Sequence, residues 1–81
     1  MKMSKKISNR APIFAVCVRN RGYKVSLELL KVYRVLPDPD AAAVHRMRVI
    51  DETGEDYLFP ESYFVPVELP EAAAKAVLQA S

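Results

Sequence analysis

Residues 48–69, RVIDETGEDYLFPESYFVPVEL, decide the fold. The run opens inside a strand, Val44 to Ile50. His45, Met47 and Val49 take one face of it, and Arg46 and Arg48 take the other. Asp51-Glu52-Thr53-Gly54 is the strongest turn signal in the chain, with Gly54 free to supply the left-handed residue of a bulged hairpin turn. Glu55 to Phe59 returns as the partner strand. Pro60-Glu61-Ser62-Tyr63 then breaks the ladder and turns, read as a single 3₁₀ turn. Phe64 to Glu68 is a short last strand, and Pro66 within it implies an edge or a kink, since proline cannot donate to a ladder.

Upstream of this run, Pro37-Asp38-Pro39-Asp40 is a clear break, followed by one helical turn at Ala41 to Ala43 with Asp40 as its cap. Leu29 to Leu36 (LLKVYRVL) fits a helix or a strand, and Val32, Tyr33 and Val35 favour the strand. Tyr23 to Glu28 alternates apolar and polar residues and reads as a second, looser extended segment after the Asn20-Arg21-Gly22 turn. Ile13 to Val18 (IFAVCV) is a strand buried on both faces. Three regions follow from this: a flexible basic tail over 1–11, a β domain over 12–69 and a C-terminal helix over 70–81. In that helix Pro70 suits the first turn, and Glu71 with Lys75 is a favourable i,i+4 pair. Its apolar stripe, Ala73 and Val77 with Ala76 and Ala80, is expected to cover the open end of the β domain rather than a second copy.

Short strands, closely spaced turns and a late helix point to a mainly β fold, a small and partly open barrel. The hairpin, the Pro60-x-x-Tyr63 turn and the closing Phe64-Val65 strand resemble the end of an SH3-like barrel. The chain also resembles small bacterial proteins of unknown function that pair KVYRVLPD (here Lys31 to Asp38) with RVIDETGEDYLFP (here Arg48 to Pro60). The resemblance covers roughly residues 12–70 and implies a fold without a mechanism. SH3 domains that bind proline-rich peptides carry a tryptophan in their groove; this chain has none.

At 81 residues the chain is one domain with a small core, too small for a large catalytic cleft. No segment approaches the roughly 20 apolar residues of a membrane span, and the lysine-bearing start lacks the apolar core of a signal peptide. A single cysteine cannot close an internal disulfide, so a reducing cytoplasm is the expected setting. The net charge of +2 hides an asymmetry. Lys2, Lys5, Lys6, Arg10, Arg19, Arg21 and Lys24 precede the first acid, whereas residues 51–71 hold Asp51, Glu52, Glu55, Asp56, Glu61, Glu68 and Glu71 and no base. Such a split serves either a basic arm for nucleic acid or two surfaces that attract each other.

No constellation supports catalysis or a cofactor. Cys17 lies in the apolar strand and reads as a small core hydrophobe. His45 is the only imidazole, and one His with one Cys cannot complete a structural zinc site. The acids at 51–56 lack the spacing of a calcium loop and read as a solvated hairpin tip. Of the aromatic set Tyr33, Tyr57, Phe59, Tyr63 and Phe64, most is needed in so small a core, and Tyr57 with Tyr63 is the expected surface patch for a protein partner. Arg19, Arg21 and Lys24 around Tyr23 are the mixture of cations and stacking surface that would serve nucleic acid. The expectation is therefore a non-enzymatic binding module acting on another protein; the alternative is a nucleic-acid-binding accessory protein.

Overall fold

A computed structural model describes residues 13–80; the tail expected over 1–11 lies outside them. Five strands form one antiparallel sheet: β1 (Ile13–Cys17), β2 (Val32–Leu36), β3 (Arg46–Ile50), β4 (Asp56–Pro60) and β5 (Phe64–Val67). The spatial order is β4-β3-β2-β1-β5, so β2 is central, the first strand is internal and the last returns beside it as an edge. The architecture is mainly β, as expected, and the sheet does not close into a barrel.

Between β2 and β3 runs the short helix α1 (Pro39–Ala43), and η1 (Glu61–Tyr63) is the expected 3₁₀ turn between β4 and β5. The cap of α1 is Asp38 rather than Asp40: its carboxylate accepts the Ala41 N–H at 3.0 Å. Proline at the first helical position moves the cap one residue before it. The hairpin turn is as expected, with Asp51 N–H donating to the Glu55 carbonyl and Gly54 at φ 86°. The helix α2 (Glu71–Ala80) packs against β2, and its Glu71–Lys75 pair forms at 3.6 Å.

One face of the sheet carries the core: Ala15, Cys17, Tyr33, Val35, Val49, Phe59 and Phe64, all buried. Register explains the grouping, because Ala15 pairs with Tyr33, Val35 with Val49 and Cys17 with Phe64. The opposite face carries Phe14, Val16 and Val32, and α2 lies on this side with Ala73, Ala74, Val77 and Leu78 half-buried. The helix thus covers the back of the sheet rather than an open end. In its expected stripe Ala73 and Val77 are half-buried, but Ala76 is exposed.

The largest departure is the segment after β1. Tyr23 to Glu28 is a chain of turns and not a strand. Tyr23 N–H donates to Asn20 O, Leu27 N–H to Tyr23 O, and the Asn20 side-chain amide closes the loop on Leu27 O at 2.9 Å. Both edges of β1 are occupied by β2 and β5, so the segment that follows it cannot fold back as a hairpin partner of β1. The loop instead sends Leu27 into the core, where it is 1% exposed, and lays Tyr23 edge-on against Phe59 at 5.1 Å. Leu27→Ala should therefore cost about 2–5 kcal/mol, read from urea denaturation followed by circular dichroism.

Candidate functional site

The loop between β1 and β2 is held at three places. At its start Val18 N–H donates to Tyr63 O, and the Tyr63 hydroxyl donates to Arg21 O at 2.9 Å. At its middle Ser26 O accepts Glu52 N–H from the hairpin turn. At its end the buried Tyr33 hydroxyl accepts Glu28 N–H at 2.8 Å and donates to Glu52 Oε2. Lys31 completes this cluster, 2.7 Å from the same Glu52 oxygen and above the Tyr33 ring.

These fixings leave the outer arm of the loop exposed. Val25 is 90% exposed, Leu30 78% and Leu29 51%. Leu30 also adopts φ 64°, in the left-handed region, where an L-residue other than glycine is disfavoured by roughly 1–2 kcal/mol. The sharp turn is needed to bring Leu30 N–H back to Cys17 O, so that β2 can start in register. Beside this apolar rim, Arg19, Arg21 and Lys24 are exposed, and none forms an ion pair among the described residues.

The residues singled out from sequence are divided by the fold. Tyr23 and Tyr63 meet edge-on at 6.0 Å, both half-buried beside the core and flanked by the loop's arginines. Tyr57 lies on β4 near the hairpin turn, half-exposed, with its hydroxyl donating to Glu55 at 2.9 Å. The expected pair Tyr57 and Tyr63 is thus split between the turn end of β4 and the 3₁₀ turn beyond its other end. Val25, Leu29 and Leu30 were not among the sequence candidates. The signal was available in Leu27-Glu28-Leu29-Leu30, where three leucines in four positions cannot all face inward across one turn.

The remaining groups read as structure. Cys17 is fully buried, its thiol donates to Arg19 O at 3.3 Å, and burial pushes its pKa up, which keeps the sulfur protonated. His45 is exposed beside Glu61, at 3.3 Å. Arg48 bridges Asp38 at 2.8 Å and Asp56 at 2.9 Å, tying α1 to the β3–β4 hairpin. Asp51 is buried at the head of the hairpin turn, where one oxygen accepts from Thr53; the other, Oδ2, has no partner. Among the described residues no group of three His, Cys, Asp or Glu is placed to hold a metal ion, and no helix is long and apolar enough to cross a membrane. No protein family, curated protein or solved structure matches the chain.

The pinning cluster dictates a pH profile. Lys31 first, then the Tyr33 hydroxyl, holds the Glu52 carboxyl below its ordinary value; the Ala41 N–H first, then Arg48, does the same for Asp38. Their stabilisation is present above the ordinary carboxylate range and lost as pH falls through the depressed values. Tyr33 runs the other way. Burial first, then the Glu52 hydrogen bond, raises it, so its contribution is present below about pH 10 and lost as pH rises beyond. Denaturant midpoints should be level from about pH 5 to 8 and fall on both sides, with the buried Cys17 thiol entering the alkaline limb before Tyr33. Tyr33→Phe should cost about 1–2 kcal/mol at neutral pH, because it strands Glu28 N–H, and should flatten the alkaline limb.

Proposed function

We propose that the protein is a non-enzymatic binding module that docks another protein through the β1–β2 loop. The observation that carries this reading is Leu30, which bears both a left-handed backbone and a side chain in water. Each feature costs stability, and a partner that covers the loop repays the second. Val25 and Leu29 extend the apolar area, and Arg19, Arg21 and Lys24 form a cationic rim beside it. The matching partner surface is an apolar segment flanked by acids. The turn at Glu61–Tyr63 leading into the short β5 suits the SH3-like kinship proposed from the sequence. A buried free thiol suits a reducing compartment, which favours the cytoplasm.

A second reading rests on the same rim. Three exposed cations without ion pairs beside Tyr23 and Tyr63 would also hold single-stranded nucleic acid, with binding steeply dependent on salt. The two readings separate by photocrosslinking from position 29 in extract of the native cells. Protein docking predicts a discrete protein adduct that survives moderate salt and disappears in Leu30→Gly. That variant relieves the left-handed strain, so its stability should stay within about 1 kcal/mol of the parent. Nucleic-acid adducts lost with rising salt, and lost in the Arg19→Glu, Arg21→Glu, Lys24→Glu triple variant, would favour the second reading. Absence of any adduct from position 29 would overturn the first.

A further inference from the structure

The two edges of the sheet differ in what they offer another chain. At one edge, Val18 N–H donates to Tyr63 O, which sets the phase of the β1–β5 ladder. In that phase the outward main-chain positions of β5 are Phe64 and Pro66, and Pro66 has no N–H to give. This edge is guarded. At the other edge, two bonds at opposite ends of the hairpin, Asp51 N–H to Glu55 O and Glu61 N–H to His45 O, set the phase of the β3–β4 ladder. Tyr57 and Phe59 therefore turn their main-chain groups inward to Val49 and Met47. Asp56 and Leu58 turn theirs outward, and no described strand lies beyond β4.

We infer that the β4 edge pairs with the β4 edge of a second copy of this chain, antiparallel and two-fold symmetric about Tyr57. The register follows from hydrogen-bond accounting. With Asp56 opposite Leu58 of the second copy, each outward N–H meets an outward C=O, giving four main-chain bonds across the axis. Shifting the axis to Leu58 sets Asp56 against Pro60, which cannot donate. Shifting it to Asp56 sets two carboxylates face to face. Only the Tyr57-centred register pairs both main-chain groups of Asp56 and of Leu58 without setting carboxylates face to face. It brings together Tyr57 from both copies on one face, half-exposed in the single chain; Leu58, 39% exposed, lies on the other face opposite Asp56 of the second copy.

Charge is compatible with the same arrangement. At the turn end of the hairpin Asp51 is buried, Glu52 is paired with Lys31 and Asp56 with Arg48, which leaves Glu55 as the exposed acid without an ion pair among the described residues; the open end carries Arg46, exposed and likewise without an ion pair, and Glu61, which faces His45. Antiparallel pairing lays the Glu55 end of each copy alongside the Arg46 end of the other. The contact is small, so association should be weak and concentration-dependent.

Sedimentation equilibrium from about 10 µM to about 1 mM should show the mass rising toward that of two chains. Tyr57→Lys places like charges on the axis and should weaken association about tenfold or more, with the circular dichroism spectrum unchanged. Tyr57→Cys gives a reading that needs no change of charge. Residue 57 faces itself in a non-hydrogen-bonded pair, with Cα atoms about 4.5 Å apart, within the span of a disulfide. Mild oxidation should convert this variant to a covalent dimer faster than Val44→Cys, an exposed position away from the edge; the native Cys17 is buried. A monomeric mass at about 1 mM, a dimer indifferent to Tyr57→Lys, or equal cross-linking from positions 57 and 44 would each overturn the inference.

Discussion

The buried hydroxyl of Tyr33 is the contact on which the rest of the structure depends. It lies inside a core strand and must find partners, since an unpaired polar group there costs about 1–3 kcal/mol. Its partners come from two different segments: Glu28 N–H from the long loop and Glu52 from the hairpin turn. One oxygen thus ties β2, the loop and the β3–β4 hairpin together. With the loop so anchored, Leu27 joins the core cluster that holds Val49 and Phe59, Tyr23 is set against Phe59, and the chain reverses sharply at Leu30 to re-enter the sheet. The exposed rim of the loop is the other side of that constraint: seating Leu27 turns Val25, Leu29 and Leu30 toward water.

The sheet buries apolar surface on both faces, which is how so short a chain assembles enough core. The loop and Tyr63 cover one face, and α2 covers the other. Arg48 joins the short helix to the hairpin through two carboxylates, so the acidic hairpin is partly neutralised where it meets the body of the domain. Among the described residues the cations without ion pairs include Arg19, Arg21 and Lys24 in the loop and Arg46 at the open end of the hairpin, while the exposed acids without ion pairs are spread over Glu28 in the loop, Asp40 on α1, Glu55 at the turn and Glu68 after β5.

Much of the fold was legible locally. Gly54 in the Asp51–Glu55 turn, the 3₁₀ turn after Pro60, the proline at the β5 edge and the Glu71–Lys75 helix pair each rest on residues within four positions of one another. The alternation at Tyr23 to Glu28 misled, because a period of two is a property of strands only where a neighbouring strand is free to pair. Here β5 had taken the place beside β1, and the loop met its hydrogen-bond needs through turns and the Asn20 amide. The expected tyrosine pair divided for a similar reason. The Tyr63 hydroxyl is committed to Arg21 O, a contact spanning 42 positions that no local pattern announces.

Local sequence accounts for the mainly β class, the hairpin with its left-handed glycine, the breaks at the prolines, the burial of Cys17 and the terminal helix. Each follows from backbone preferences and side-chain periodicity acting over a few residues. Strand order, the folding of the loop over the core, the exposure of Leu30 and the open edge of the sheet come from long-range packing. They depend on which segment best fits an unpaired edge or an unfilled space, and that competition is between residues far apart in the chain.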